Sequence, residues 1–341
     1  MKAAIYNPYM DTLGGGEKYT LSFAKVLLHG GYQVYLQWKN SDILDAASNR
    51  FGVDYSNINI TRDVQKGSGY DLCFWVSDGS IPLLKSRKNI LHFQVPFTDI
   101  KGKTLLNRMK IIRINYIICN SNFTKSYIDK EYGVRSIVIY PPVETVLFKP
   151  QRKEDIILYV GRFSDLKQSK SHSILIDVFK KLYSKKLGSY KLILAGGIEI
   201  GSKNYLTGLK KEAMGYPVEF IESPDFKSLK SLYGKARFFW SASGFGVDEK
   251  REPDKVEHFG ITTVEAMASG CIPIVFNGGG YKEIINEGIN GFLWESKNDL
   301  MKKTMMCLSE RITYRNLSSI RDSTLYGVNS FNSKVANLLK I

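Results

Sequence analysis

Apolar residues along the chain recur in short runs that alternate with segments of helical spacing. In the first half, runs including AAIYN, YQVYLQW, DLCFWV, NILHFQV, YIICN and SIVIYPP predict strands, and EKYTLSFAKVLLHGG predicts a helix. The second half repeats the alternation, with strands at IILYVGR, KLILAGG, VEFIES, RFFWSAS and CIPIVFN. Strands separated by helices imply parallel βαβ units. The pattern predicts an α/β protein of two doubly wound, Rossmann-like domains that face each other across a cleft.

The boundary between the two domains is predicted where Pro141 and Pro142 end the first alternation. We assign residues 1–142 to an N-terminal domain, 143–154 to a linker and 155–322 to a C-terminal domain. The last segment, 323–341, predicts a helix that packs back on the N-terminal domain. A length of 341 residues agrees with two domains, because it exceeds what one ordinary hydrophobic core contains.

The composition is globular, with 43% hydrophobic and 24% charged residues. Four widely separated cysteines in or near apolar runs indicate reduced, buried thiols in a cytoplasmic protein. The net charge of +15 attracts anionic partners. No nucleic-acid-binding motif accompanies this charge, so we expect no nucleic acid partner; a lysine-rich solvated surface or contact with anionic small molecules or lipid remain as explanations.

One basic segment, KGKTLLNRMKIIR at 101–113, interleaves cations with leucine, methionine and isoleucine. Such an amphipathic stretch is typical of peripheral contact with an anionic membrane, here the inner face. An ordinary domain helix with a lysine-rich outer face explains the same pattern. The N-terminus lacks the unbroken apolar run of a signal peptide, and no stretch approaches ~18 consecutive apolar residues.

The stretch VEHFGITTVEAMASG at 256–270 places Glu257 and Glu265 on either side of a glycine turn. The turn precedes a helix whose first amides have no partner within the helix, which is a site for an anion. Gly260 lets backbone approach a ligand closely. A carboxylate beside a diphosphate would repel it, so the two glutamates are suited to the hydroxyls of a sugar and of a ribose.

Cations that could neutralise a diphosphate follow the IILYV strand, at Arg162, Lys167 and Lys170. A solvated loop would have the same residue types. No Asp-x-Asp occurs in the chain, which agrees with a site that uses no metal ion. These residues together predict a site for a nucleotide-diphosphate sugar.

The segment EHFGITTVEAMASGCIPIVFNGGGYKEII closely resembles the donor-site signature of retaining glycosyltransferases of family 4, which are GT-B enzymes with an E-x7-E motif. The resemblance extends over most of the chain. GGGEKYTLSFAKVL is similar to the family's first glycine loop and helix, and ICNSNFTK to a later strand end. YPPVE resembles the start of the interdomain linker, and VGRFSDLKQSKSHSILIDVF the phosphate-binding segment.

By this resemblance, Glu257 contacts the transferred sugar and Glu265 holds the ribose, while Arg162 and one lysine bind the diphosphate. The family's usual spacing from the arginine gives Lys167. Counting back from the helix that follows gives Lys170, which we prefer because the helix fixes the register. Backbone or hydroxyl groups that would meet the sugar and diphosphate belong to Phe259, Gly260, Ile261 and Thr262.

In the N-terminal domain, the resemblance places His92 near the reacting sugar and Gly15 and Gly16 near the donor. A lone histidine is also common as a structural residue, and this alternative stays open. The polar loop SGFGVDEKREPDKV, which precedes Glu257, is either a lid that contacts the acceptor or an inert surface insertion.

The function that the resemblance implies is transfer of a hexose from a nucleotide sugar to a glycan or lipid-linked acceptor, with retention of configuration and without a cofactor. Surface polysaccharide or glycoconjugate synthesis is the expected setting. GDP-mannose is the favoured donor, and a UDP-sugar is the alternative. A sugar-nucleotide epimerase or hydrolase of similar fold, or a non-catalytic glycan- or nucleic-acid-binding protein, would use the same fold without an acceptor or without turnover.

Overall fold

The structure, a computed structural model, describes residues 1–164, 170–184, 187–199 and 201–341. Contacts between residues divide the chain into two compact units. Unit 1 is formed by Met1–Pro142 together with Val328–Ile341. Unit 2 is the continuous segment Val143–Gly327.

Seven strands form the sheet of unit 1: β1 (Lys2–Tyr6), β2 (Gln33–Gln37), β3 (Asn59–Thr61), β4 (Leu72–Val76), β5 (Lys88–Phe93), β6 (Tyr116–Cys119) and β7 (Ile137–Val138). They lie in the order β3-β2-β1-β4-β5-β6-β7, and every pair is parallel. The near-continuous apolar sequence of β4 and β5 is typical of central strands that are covered on both faces. β7 is only two residues long, and the prolines that follow it cannot donate to a strand ladder.

The helices that follow these strands in unit 1 are α1 (Gly15–His29), α2 (Asp42–Phe51), α3 (Leu105–Ile111) and α4 (Asn122–Tyr132). The start of α1 is fixed by Glu17, whose Oε2 accepts hydrogen bonds from the backbone N–H of Gly14 and the hydroxyl of Thr12, both at 2.7 Å. These bonds satisfy an amide that the helix itself leaves without a partner. The helix ends at Gly30, as its sequence predicts.

Six strands form the sheet of unit 2: β8 (Glu154–Val160), β9 (Lys191–Gly196), β10 (Val218–Glu222), β11 (Ala236–Ser241), β12 (Ile272–Phe276) and β13 (Phe292–Trp294). They lie in the order β10-β9-β8-β11-β12-β13, again with parallel pairs. Its helices are α5 (His172–Tyr183), α6 (Lys203–Glu212), α7 (Phe226–Lys235), α8 (Ile261–Ala268), α9 (Tyr281–Ile284), α10 (Lys297–Ser309) and α11 (Ser319–Ser323).

The last helix, α12 (Val328–Leu339), belongs to unit 1. Its apolar residues Phe331, Val335 and Leu339 are buried in the same core as α1. The ring of Phe331 meets that of Tyr19 edge-on, with the ring centroids 5.0 Å apart. The core of unit 1 is therefore assembled from both ends of the chain.

The predicted class of fold is confirmed, since both units are doubly wound parallel sheets with helices between the strands. No helix within the described residues is long and apolar enough to cross a lipid bilayer. In each sheet a strand early in its unit, β1 or β8, pairs with strands on both sides. Strand order therefore reverses there, and doubly wound sheets bind ligands beyond the carboxyl ends of strands at such a point.

Candidate functional site

The carboxyl edge of the unit 2 sheet is shaped by a glycine turn at the start of α8. Gly260 is the N-cap of this helix and has φ +112°, which only glycine adopts without strain. A Cβ at this position would also lie 2.8 Å from Cε1 of Tyr281. The turn therefore needs glycine for two independent reasons, and it leaves the first amides of α8 at the edge of the sheet.

A second glycine run, at 278–280, packs against this turn. The backbone N–H of Gly280 donates to the carbonyl of Glu257 at 2.7 Å, and a Cβ on Gly279 would lie 2.1 Å from the same oxygen. These glycines allow two backbone segments to pack directly against each other. They hold the turn in place, a role that the sequence pattern did not reveal.

The central contact of the site is an ion pair between Lys170 and Glu257. Nζ of the lysine lies 2.9 Å from Oε2 of the glutamate, and the two side chains are only 12% and 18% exposed. Burial on its own raises the pKa of Glu257, but the ammonium of Lys170 and its hydrogen bond outweigh this effect, so the net pKa lies below the usual value. The carboxylate is thus ionised at neutral pH. Lys167, the other predicted lysine, lies outside the described residues.

Arg162 follows β8 at the same edge. Its side chain is 57% exposed, and its Nη1 lies 3.9 Å from Oε1 of Glu199, at the limit of an ion pair. Exposed pairs of this kind contribute little to stability. The guanidinium is therefore held loosely enough to turn toward an anion at the end of the strand.

Glu265 lies one turn into α8, where its Oε2 accepts a hydrogen bond of 3.0 Å from the hydroxyl of Tyr233. Tyr233 is fully buried, and burial together with the nearby carboxylate raises its pKa well above the usual value. The phenol therefore remains a hydrogen-bond donor. This positions the glutamate, and sequence reasoning missed Tyr233 because nothing in SLYGK marks it.

The other predicted residues of the turn divide into buried and accessible groups. The side chain of Phe259 is 3% exposed and packs edge-on against Tyr326 at 5.3 Å, so it can offer only backbone to a ligand. Ile261 and Thr262 are half-buried in the first turn of α8. Their amides and the Thr262 hydroxyl lie on the same short segment as Gly260.

Buried hydroxyls pack beneath the turn. Ser241 Oγ and Tyr281 OH are 2.6 Å apart, and Tyr159 OH and Ser243 Oγ are 3.2 Å apart. Burial raises the pKa of Tyr159 far above its usual value, so these groups stay neutral. The SAS of RFFWSAS, which the sequence presents only as a strand end, thus supplies the polar floor of the site.

The polar loop before Glu257 is attached to the second glycine run. Oε2 of Glu249 accepts a hydrogen bond of 2.9 Å from the N–H of Gly279, and Lys282 pairs with the same carboxylate. Burial raises the pKa of Glu249, but these partners outweigh it and lower the pKa below its usual value. The loop is therefore anchored at one point along its length.

In unit 1 the structure does not place His92 where the resemblance implied. The imidazole is completely buried in the core, stacked on Tyr19 with ring centroids 4.1 Å apart, and its Nδ1 lies 3.1 Å from the carbonyl of Ile118. Burial lowers its pKa to about 3. A side chain without exposed surface cannot meet a substrate in this conformation, so the structural alternative describes His92 better.

Gln94, two residues further on, occupies the end of this strand instead. Its Nε2 donates to the carbonyl of Gly16 at 3.1 Å, and a Cβ on Gly16 would lie 2.0 Å from Gln94 Oε1. Gly15 and Gly16 form the first turn of α1. The glycines thus bring the amino end of α1 and a strand-end amide together at the carboxyl edge of this sheet.

The same edge of unit 1 holds a cavity of about 600 Å³ beyond β1, β2 and β3. Tyr6, in its wall, stacks on Trp75 with ring centroids 3.8 Å apart. Trp38 and the polar side chains of the wall complete it: Asn7, Asp11, Gln37, Lys39 and Arg62. Aromatic faces beside amides and charged groups are suited to a hydroxyl-rich ligand.

Comparison with solved structures identifies the fold. A glycosyltransferase from Rickettsia africae superimposes with a TM-score of 0.79 over 99% of this chain and 98% of its own, at 18% identity. HepE from Anabaena, in complex with UDP and glucose, has a TM-score of 0.73 over 100% and 99%, at 17% identity. At such identities the likeness concerns architecture, and the architecture is GT-B.

Comparison of sequences identifies the family. Residues 146–320, just over half of the chain, match the model of Glycosyl transferases group 1, and the protein belongs to this family. A human GDP-Man:Man(3)GlcNAc(2)-PP-Dol alpha-1,2-mannosyltransferase is 30% identical over 244 residues, 64% of this chain and 46% of that protein. Human alpha-1,3/1,6-mannosyltransferase ALG2 is 26% identical over 62% of this chain and 57% of its own. The chain spans about half the length of the curated relatives it matches.

Proposed function

We propose that the protein is a retaining glycosyltransferase of family 4 that moves a hexose from a nucleotide-diphosphate sugar to a glycan or lipid-linked acceptor. The Lys170–Glu257 ion pair at the amino end of α8 is the observation that carries this proposal. It joins a cation suited to phosphate and a carboxylate suited to hydroxyls. A phosphate-binding cation in contact with a hydroxyl-binding carboxylate matches a ligand in which a sugar is bonded to a diphosphate.

Each end of such a donor finds a partner at this edge. Arg162, Lys170 and the free amides of α8 bind the diphosphate, and Glu265, held by Tyr233, binds the ribose diol. Glu257 accepts hydrogen bonds from sugar hydroxyls. When the diphosphate binds, it shares Lys170 with Glu257, and Arg162 and the amides of α8 supply the further positive charge that the added anion requires.

In the reaction, the bond between the anomeric carbon and the diphosphate oxygen breaks, and the acceptor oxygen bonds to that carbon on the same face. The acceptor hydroxyl gives its proton to the departing diphosphate, which leaves as the free nucleotide. The protein holds the reactants in place and stabilises the charge that develops on the leaving oxygen. Arg162, Lys170 and the helix amides supply that positive charge, so we propose that the reaction needs no metal ion.

We propose GDP-mannose as the donor. The support is the set of relatives at about 30% identity whose names specify GDP-Man as the donor. A UDP-sugar is the second candidate, and the complex of HepE with UDP and glucose favours it. That structure resembles this chain in fold only, so the sequence relatives have more weight.

For the acceptor, we propose that a sugar of a glycan or lipid-linked glycan occupies the cavity of unit 1. Tyr6, whose ring stacks on Trp75, and Trp38 offer aromatic surface to a sugar ring, and Asp11 and Gln37 offer hydrogen bonds to hydroxyls. Lys39 and Arg62 add charge for a phosphate attached to the same acceptor. These are the groups that a lipid-linked glycan would require.

We further propose that α3 contacts the anionic inner face of a membrane. Leu105, Leu106 and Met109 of this helix and Ile112 after it are 60–82% exposed, and no residue of α3 is fully buried. Exposed apolar residues in contiguous patches mark interaction sites. Lysines and arginines lie between them, which favours an anionic lipid surface over a neutral partner.

The donor proposal is tested by titrating GDP and UDP calorimetrically into the purified protein and into Glu265→Ala. We expect tight binding of GDP, weaker binding of UDP and loss of affinity in the variant. Glu219→Ala serves as the control because Glu219 is an exposed glutamate that pairs with Lys191 on the same sheet. Binding of neither nucleotide, or equal affinity in Glu265→Ala, would contradict the proposed donor site.

Membrane contact is tested by flotation with vesicles of phosphatidylcholine alone and with added phosphatidylglycerol. We expect binding to the anionic vesicles at low salt and loss of binding in Leu106→Ser/Ile112→Ser. The matched control is Leu325→Ser, which removes an exposed leucine from unit 2. Absence of binding to the anionic vesicles at low salt would exclude docking through α3.

A further inference from the structure

A second cavity of about 600 Å³ lies in unit 2 at the amino ends of its strands. Its walls come from the segment before β8, the first residues of β11 and β12, and the loop after α10. β8 is seven residues long and spans about 20 Å, so this cavity is well separated from the carboxyl edge. It is therefore distinct from the proposed donor site.

The charged side chains of the described residues that line this cavity are all positive. Five cationic side chains line it: Arg152, Lys153, Arg237, Arg311 and Arg315. No aspartate or glutamate is among the described residues that form its wall. Cations gathered around a concave surface raise the local concentration of anions.

Two of these cations already have partners. Nζ of Lys153 donates to the carbonyl of Ser269 at 2.7 Å, where it caps the last turn of α8, and burial lowers its pKa. Arg237 lies 3.7 Å from a carboxylate of Asp155. These contacts explain why both residues are present without any ligand.

Among the residues that the structure describes, the remaining three arginines have no such contact with a protein group that would account for their presence. Within the described part of the chain, no carboxylate lies within ion-pair distance of Arg152, Arg311 or Arg315. Arg315 lies 5.8 Å from the centroid of the Tyr314 ring, and Lys153 lies 5.7 Å from the same ring. Tyr314 thus orders two cations within one wall of the cavity.

We propose that this cavity binds the diphosphate or polyphosphate group of a small phosphorylated molecule. Three guanidinium groups without carboxylate partners offer forked donors to phosphate oxygens, the geometry in which arginine exceeds lysine. Ile272 and Ile312, also in the wall, provide an apolar surface for the rest of the molecule. The molecule is either a soluble nucleotide or the head group of a lipid diphosphate, since both carry the same phosphate chemistry.

The test measures binding of inorganic diphosphate by calorimetry to the full chain carrying Lys170→Ala, which weakens the proposed donor site. We expect this variant to retain one diphosphate site. Adding Arg311→Ala/Arg315→Ala should weaken that site at least about tenfold, because hydrogen bonds between charged groups are lost. The control adds Lys227→Ala/Lys302→Ala, which removes the same charge from exposed positions outside the cavity and should leave affinity unchanged.

The outcomes separate this inference from the proposed function. Equal diphosphate affinity with and without the two arginines overturns the cavity proposal, whatever happens at the donor site. Equal GDP affinity in wild type and Lys170→Ala, with loss of diphosphate affinity in the arginine variant, upholds the cavity and contradicts the donor site. Repeating the titration with farnesyl diphosphate and with ATP identifies the source: tighter binding of the first indicates a lipid diphosphate, and of the second a soluble nucleotide.

Discussion

Helix α8 connects two cationic regions that differ in one respect. At its amino end, Lys170 is paired with Glu257, and Glu265 lies one turn away. At its carboxyl end, Lys153 caps the last turn, and three arginines nearby have no carboxylate partner among the described residues. The helix dipole favours an anionic ligand at the first end and cations at the second.

This difference determines which ligands each region can select. Cations mixed with carboxylates suit a ligand that presents both phosphate and hydroxyl groups, because the carboxylates reject a bare anion and accept hydroxyls. Cations alone accept any phosphate of suitable size. Selectivity for a nucleotide sugar is therefore expected at the amino end of α8, and broader phosphate binding at the other end.

The largest expected effect comes from breaking the ion pair. Lys170→Met should lower kcat/KM for transfer by about 10²–10³, the usual cost of removing one group that stabilises developing charge. Lys191→Ala, which breaks an exposed pair with Glu219, should leave kcat/KM within about twofold. Steady-state kinetics with the donor identified by titration measures both, and similar losses in the two variants would show that the pair has no special role.

The next effect distinguishes the two ends of α8 through their glycines. Gly260→Ala should cost about 1–3 kcal/mol of unfolding free energy, because φ is +112° and the new Cβ meets Tyr281. Gly270→Ala, where φ is +69°, places similar strain just beyond the other end. Denaturant unfolding should show comparable losses in both, whereas GDP affinity should fall beyond the loss of stability only in Gly260→Ala.

Acidification should destabilise unit 2 through a buried histidine near the amino-end region. His172, near Lys170, is buried, and burial lowers its pKa to about 3. As the pH drops, His172 is protonated in the unfolded chain, at about pH 6.5, before it is protonated in the folded protein. The free energy of unfolding therefore falls below about pH 6.5 and continues to fall toward pH 3, at about 1.4 kcal/mol per pH unit. Denaturant titrations at pH 7.5 and 5.5 should show a loss in wild type that is about 1.4 kcal/mol larger than in His172→Gln.

The smallest effect refines the role of Glu265. Tyr233→Phe removes one hydrogen bond to this carboxylate and should weaken GDP binding about fivefold, as expected for a net loss near 1 kcal/mol. Tyr190→Phe is the control, since Tyr190 is a buried tyrosine of unit 2 that contacts Arg237 at the opposite edge. Unchanged GDP affinity in Tyr233→Phe would mean that Glu265 is positioned by other contacts.

The alternation of apolar runs predicted both sheets, because central parallel strands are continuously apolar and the helices between them have a clear periodicity. It did not reveal the strands β3 and β13 or the helices α2, α4, α6 and α10, which are short or only partly apolar. The motif around Gly260 pointed to the edge where Lys170 and Glu257 meet. The partner contacts of Tyr233, Gly279 and Glu249 join residues far apart in sequence, so no local pattern could show them.

His92 illustrates the limit of a motif. Its place in ILHFQVPF suggested a strand end, but the pleat of β5 turns the imidazole into the core, and Gln94 is the side chain that reaches Gly16. Side chains two residues apart on a strand point to the same face of the sheet, but they lie at different distances from the middle of the core. Sequence alone does not fix where a strand leaves the core.

The position of α12 has a consequence for how the protein is made. Unit 1 needs Phe331, Val335 and Leu339 to complete its core, although most of that unit is encoded first. During synthesis, unit 2 is a continuous segment that can fold as soon as it leaves the ribosome, whereas unit 1 must wait with an open groove along α1. The domain translated first is then the last to finish folding, and a nascent chain stalled before residue 328 would expose apolar surface to chaperones.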